Sequence, residues 1–214
     1  MVIAETKERK TDMGRTSDAK EKLLDVAFEL IWDNSYGGVS VDQICERANV
    51  NKGSFYYYFG SKADLAIAAY DEHWKQKQPE MDRIFSAQVP PLERLSTWCD
   101  YIYIYQKQKA EKYGHVCGCP YGSVGGEVAT QDDKIRQALE LLMARGIKYV
   151  ESAIADAKRE GSVTVADPNA AAKQVYSFVL GTLLRAKIEN DVEVIKGIEP
   201  TVMAILGAKL AVEA

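Results

Sequence analysis

An all-α fold is predicted for this 214-residue chain by three observations. Apolar residues recur at helical spacing in every long segment, no stretch alternates like a strand over a useful length, and glycines and prolines fall where helices would start or stop. The length is enough to bury a substantial core and suits a small N-terminal domain followed by a larger one.

Taken in order, residues 1–15 are polar and of mixed charge and are expected to form a flexible tail. Ser17 can cap a first helix to about residue 34, with Leu23, Leu24, Ala27, Phe28, Leu30 and Ile31 inward, and Gly37-Gly38 ends it. Ser40 and Gln43 have capping-box spacing, and Ile44 and Ala48 follow on one face. Asn49 marks a tight turn, a second short helix places Phe55 and Phe59 inward, and Gly60 closes it. Ser61 and Asp64 cap a fourth helix through Trp74, after which Pro79, Pro90 and Pro91 break the pattern.

A helix over 92–113 ends at Gly114, and a short one begins at Pro120. A long helix over 132–160 stops before Gly161. Asp167-Pro168 opens a helix with Ala172, Tyr176, Val179, Leu180, Leu183 and Lys187 on roughly one face. The last helix holds Ile198, Val202, Ile205, Leu206 and Leu210. The expected division is a tail at 1–15, a small three-helix domain at 16–60, and a larger helical domain at 61–214.

Residues 51–62, NKGSFYYYFGSK, carry the strongest chemical signal. They form the second helix of a helix-turn-helix, the element that enters the major groove of duplex DNA. Lys52 can pair with a phosphate, Gly53 permits close backbone approach, and Ser54 can reach a base edge. Tyr56, Tyr57 and Tyr58 occupy adjacent positions and so cover several faces, which a core stripe would not require. Lys62 adds a second cation. Charge alone would not reveal this, since the chain carries a net charge of -4 and a pI near 5.4. Phosphate contact depends on which face holds the lysines, not on the sum.

Residues 16–74 resemble the TetR family of one-component transcription regulators. The resemblance is carried by Thr16, Leu23, Leu24, Ala27, Leu30, Gly38, Ser40, Val41, Ile44, Ala48, Val50, Lys52, Gly53, Ser54, Phe55, Tyr56, Tyr58, Phe59, Ser61, Lys62 and Leu65. Asn49 stands where the family usually has glycine, and Tyr58 where histidine is common. The resemblance implies that Thr16 and Ser40 are further phosphate contacts. It also implies a homodimer through the last two helices, which would let two recognition helices read a palindromic double-stranded operator.

The stretch 115–127, HVCGCPYGSVGGE, is the second unusual feature. Cys119 would sit at the N-cap of a helix starting at Pro120, where amides and dipole favour a thiolate and so a lowered pKa. Lys187 lies on an apolar stripe and needs a partner, which Cys119 or Glu127 could supply. Trp98, Tyr101, Tyr103, Tyr105 and Tyr121 are candidates to line a cavity between helices or to be plain core; Cys99 and Ile102 share the apolar face, and Tyr103 faces another way. Cys119 can equally be a small core residue. A disulfide between Cys117 and Cys119 would be strained, and His115, Cys117 and Cys119 lack an evident fourth ligand for a metal.

Gly118, Cys119, Glu127 and Arg185-Ala186-Lys187 resemble a branch of the same family whose members include regulators responsive to electrophiles, oxidants or unsaturated acids. Pro120-Tyr121 replaces that branch's usual apolar pair. The resemblance implies that Cys119 faces the ligand, and the expected sensing set is Trp98, Cys99, Tyr105, Cys117, Cys119, Tyr121, Glu127, Tyr176 and Lys187.

The expected function is a dimeric DNA-binding regulator, a repressor released from its operator by a small-molecule or electrophile inducer or by modification of Cys119. No cofactor and no metal is implied. With neither a leader nor a membrane span in sight, a cytoplasmic protein with reduced cysteines is expected. The alternative is a thiol enzyme centred on Cys119. The two histidines lack catalytic spacing, and no dinucleotide fingerprint is present.

Overall fold

The computed structural model describes residues 6–208, with side-chain surroundings from residue 18 onward, so the side chain of Thr16 and all of Leu210 lie outside the described residues. Among those residues the chain is helical and contains no strand. The helices are α1 (Thr6–Asp33), α2 (Val41–Ala48), α3 (Lys52–Tyr58), α4 (Lys62–Ile84), α5 (Pro91–Tyr113), α6 (Pro120–Val128), α7 (Asp133–Arg159), α8 (Pro168–Glu189) and α9 (Ile198–Ile205), with a 3-10 helix at Val192–Gly197.

Two compact units are formed, Met1–Gln76 with Val124–Leu139, and Lys77–Ser123 with Glu140–Ala214. In the first, α1 packs on α2 and α3. Leu23, Ala27, Ile31, Trp32, Ile44, Phe55 and Leu65 are buried there, and Phe28 stacks on His73 at 3.8 Å between ring centroids. In the second, α5 and α8 flank the 3-10 helix and α9. Leu95, Trp98, Ile154, Val175, Val179, Ile198, Val202 and Leu206 make its core.

Several helix ends follow from local chemistry. The Ser40–Gln43 capping box is formed, Asn49 takes the left-handed conformation at φ 52°, and Gly114 ends α5 at φ 79°. Asp167 caps α8 through the Asn169 amide, with Pro168 in the first turn.

Three ends differ from the sequence reading. The first helix begins at Thr6 rather than at Ser17, because residues 6–16 are rich in Lys, Glu and Arg, which lose little rotamer freedom in a helix. Helix α4 runs through Pro79 to Ile84. Proline removes one backbone bond there, and the burial of Met81 and Ile84 outweighs that loss. The last helix, α9, starts at Ile198 as its apolar pattern implied but ends at Ile205, with Leu206 at its cap and Gly207 in the left-handed conformation at φ 57°.

Candidate functional site

Helix α3 is fixed by its N-cap and by its buried face. Asn51 caps it by accepting from the Ser54 amide at 2.8 Å, and a Cβ at Gly53 would come within 3.2 Å of that same Asn51 oxygen. Phe55 and Phe59 are buried beneath, so the opposite face is fixed outward. Tyr56 and Tyr57 are 61% and 77% exposed, a large apolar cost in water unless something covers them. Tyr58 is half-buried, edge-on to Tyr57 at 4.9 Å. Ser40 is exposed, with its hydroxyl engaged in the cap of α2.

The two predicted cations behave differently. Lys52 is exposed, but its ammonium lies 2.7 Å from Asp42 of α2, whose hydrogen bond raises its pKa. Lys62 departs from the expectation of a phosphate contact, because its ammonium is turned inward. It donates to the carbonyls of Tyr36 at 2.9 Å and Val39 at 3.0 Å and sits 4.1 Å from the Tyr36 ring centroid. Burial pushes its pKa down, with Glu127 opposing.

Glu127 is not available as a partner for Lys187. Its carboxylate accepts from the amides of Tyr36 at 2.8 Å and Gly37 at 2.6 Å, in the turn between α1 and α2. Tyr36, Gly37 and Asp42 are functional neighbours that sequence reasoning missed. The Gly37-Gly38 pair was the available signal, since glycine leaves room for a group to approach the backbone, but its partner is remote in sequence.

In the second unit, Cys119 occupies the N-cap position of α6 and the Gly122 amide points at its sulfur from 3.4 Å. The expected lowering of its pKa does not occur. Burial pushes the thiol up and outweighs the amides of Gly122 and Tyr121. Gly118 at φ 72° brings the chain against α8, where a Cβ would meet the Leu183 carbonyl at 3.2 Å and the Lys187 stem at 3.4 Å. Lys187 reaches Ser123 Oγ at 3.5 Å, and the buried Gln106 amide donates to the Gly118 carbonyl at 3.0 Å.

Tyr176 stacks on Trp98 with centroids 6.4 Å apart, its hydroxyl is pushed up by burial, and it lies near Cys119. The structure thus brings Trp98, Cys119, Tyr176 and Lys187 into one neighbourhood. Tyr121 is buried with its amide at the Cys119 sulfur, and Cys117 is fully buried beside the His115 carbonyl. Two other members of the expected set have different surroundings. Tyr105 stacks on Tyr101 under the Lys77 ammonium, 3.9 Å from its ring centroid. Cys99 is buried, and desolvation with the charges of Glu199 and Asp100 pushes its thiol up to about 12. It lines a cavity of about 270 Å³ with Asp100, Tyr103, Ile195, Lys196 and Glu199.

One face of α8 has no cover. Gln174, Ser177, Gly181, Leu184 and Ile188 are exposed at alternating spacings of three and four, the period of a helix–helix seam. Leu184 and Ile188 are 57% and 75% exposed. No described helix is long and apolar enough to cross a membrane.

Residues 23–69 match the model of bacterial regulatory proteins of the tetR family, and residues 91–200 match the tetracyclin repressor-like C-terminal domain. An uncharacterized HTH-type transcriptional regulator in the lacX 3' region of Lactococcus lactis is 31% identical over 180 residues, covering 84% of this chain and 88% of its own. The transcriptional regulator AcuR of Cereibacter sphaeroides is 30% identical over 176 residues, covering 80% and 77%. The HTH-type transcriptional repressor NemR of Escherichia coli is 24% identical over 180 residues, covering 82% and 87%. A crystal structure of its reduced form superposes with a TM-score of 0.77 over 91% of this chain and 100% of that one. With the helix-turn-helix half and the helical C-terminal half each matched, the chain belongs to the TetR family of bacterial regulatory proteins.

Proposed function

We propose that this regulator is a homodimeric, cytoplasmic repressor that reads a palindromic operator through α3 and releases it when a small molecule occupies the body. The observation that carries the reading is the outward pair Tyr56 and Tyr57 on a helix pinned from below by Phe55 and Phe59. Two exposed aromatic side chains with hydroxyl tips can pack against sugars and donate to phosphates, while Lys52, Gly53, Ser54 and Tyr58 complete the surface. On this reading residues 16–60 read DNA and residues 61–214 sense and dimerise. The uncovered stripe from Gln174 to Ile188 supports α8 as part of the dimer seam, together with α9.

The trigger follows from population shift: a ligand releases DNA if it binds the DNA-incompetent arrangement better than the competent one. Lys187, beside a hydroxyl and the backbone of Gly118, suits a ligand with an anionic head, and Trp98 and Tyr176 supply apolar walls. NemR is named a repressor, which supports repression as the mode of action. The protonated Cys119 supports reversible occupation over capture of an electrophile, and it argues against a thiol enzyme.

The test is the double variant Tyr56→Ala/Tyr57→Ala. Duplex binding should fall at least roughly tenfold, the scale of one or two aromatic contacts, with the helical circular dichroism unchanged. Unchanged binding would contradict the assignment of α3 as the reading helix.

A further inference from the structure

We infer that Glu127, in the last turn of α6, is a positioning residue for operator recognition: its carboxylate grips the turn before α2 by two adjacent backbone amides and so fixes where α2 and α3 begin. The inference rests on the operator-binding reading above.

The turn's polar groups are sorted by sign. Its donors at Tyr36 and Gly37 go to the two oxygens of Glu127, and its acceptors at Tyr36 and Val39 go to the Lys62 ammonium. The Gly38 amide is taken by Ser35 Oγ at 2.9 Å. Each amide and carbonyl named here would otherwise need water, so the turn depends on these side chains for its geometry. Bonds to an ionised group are the stronger kind, and a carboxylate spanning two neighbouring amides fixes direction as well as distance.

The carboxylate occupies the space that glycine leaves: a Cβ at Gly37 would lie 2.8 Å from Glu127 Oε1, so an alanine there would displace the carboxylate from its two amides. Ser40, the cap of α2, follows Gly37 by three residues, and α2 passes into α3 through the Asn49 turn while packing against it. A shift of the turn is therefore delivered to α2 and then to α3. Glu127 carries the wrong charge to hold a phosphate, so its influence on DNA must run through this placement.

The experiment uses the full-length protein and a duplex selected by the wild type from a random pool, alongside an unrelated duplex. Glu127→Ala should lower affinity for the selected duplex roughly tenfold or more, the scale of charge-assisted hydrogen bonds. Affinity for the unrelated duplex and the salt dependence should stay the same, because the phosphate contacts are untouched. Glu127→Gln, which keeps one acceptor oxygen, should fall between. Gly37→Ala should reproduce the loss in the wild type and add little in the Glu127→Ala background. Equal selectivity of folded wild type and Glu127→Ala, with only a lower melting temperature, would overturn the inference. So would a full additional loss from Gly37→Ala in that background. If the wild type itself selects no duplex, the operator-binding reading fails first and this inference falls with it.

Discussion

The Lys52 ammonium at the start of α3 lies 2.7 Å from a carboxylate oxygen of Asp42 in α2, and both side chains are exposed. A phosphate arriving at α3 must therefore compete with a carboxylate that already holds the cation. Asp42→Asn should raise affinity for all duplexes severalfold, and Lys52→Ala should lower it for all duplexes while reducing the salt slope by about one. Salt titrations of duplex binding by fluorescence anisotropy check both. A change confined to one sequence would show that Lys52 reads bases instead.

Cys119 should behave as a partly buried thiol that stays protonated at neutral pH. At neutral pH the folded protein should show no thiolate absorbance at this site and should react with a thiol reagent more slowly than a free cysteine does. Reactivity should rise only as pH climbs above the ordinary cysteine range. Rapid labelling at neutral pH that disappears in Cys119→Ser would contradict this, and would restore a thiolate trigger.

Arg94 and Asp156 form an ion pair in the second unit. The Arg94 side chain is 4% exposed, with a nitrogen 2.7 Å from Asp156 and another 2.6 Å from the Val89 carbonyl. Asp156→Ala would strand a buried guanidinium and should cost roughly 3 kcal/mol or more. The hydrogen bond from Arg94 holds the Asp156 carboxyl below its ordinary range. Its contribution is thus present above that range and is lost as pH falls through the depressed folded value. Urea unfolding as a function of pH should show an acid limb that Asp156→Ala removes.

Leu184 and Ile188 are the most exposed apolar side chains of α8. Leu184→Glu/Ile188→Glu places like charges across any seam formed by two copies of this face. Sedimentation should then show monomers, and operator affinity should drop by about a hundredfold through loss of the second head. A stable dimer in the double variant would move the interface elsewhere.

Features set by neighbours in sequence were legible before the structure. The cap at Ser40, the left-handed Asn49, the stops at Gly114 and Gly161, and the starts at Pro120 and Pro168 all depend on residues within one turn. The inward placement of Phe55 and Phe59 followed from spacing alone. Features set by distant partners were not legible. Nothing near Glu127 in sequence announces that it serves Tyr36 and Gly37, and nothing beside Lys62 says that its ammonium turns inward. The Cys119 thiol was misread for a related reason: the helix-start amides are local and visible, whereas the desolvation that outweighs them comes from packing. Pro79 was read as a helix end by local rules that burial of Met81 and Ile84 overrode.

The central claim is that this chain recognises a specific duplex as a dimer, and the most direct measurement is selection of bound sequences from a random duplex pool by the purified protein. One palindrome with half-sites a helical turn or more apart should be enriched and bound with steep salt dependence. Enrichment of no sequence, or binding of every duplex with equal affinity, would contradict the claim.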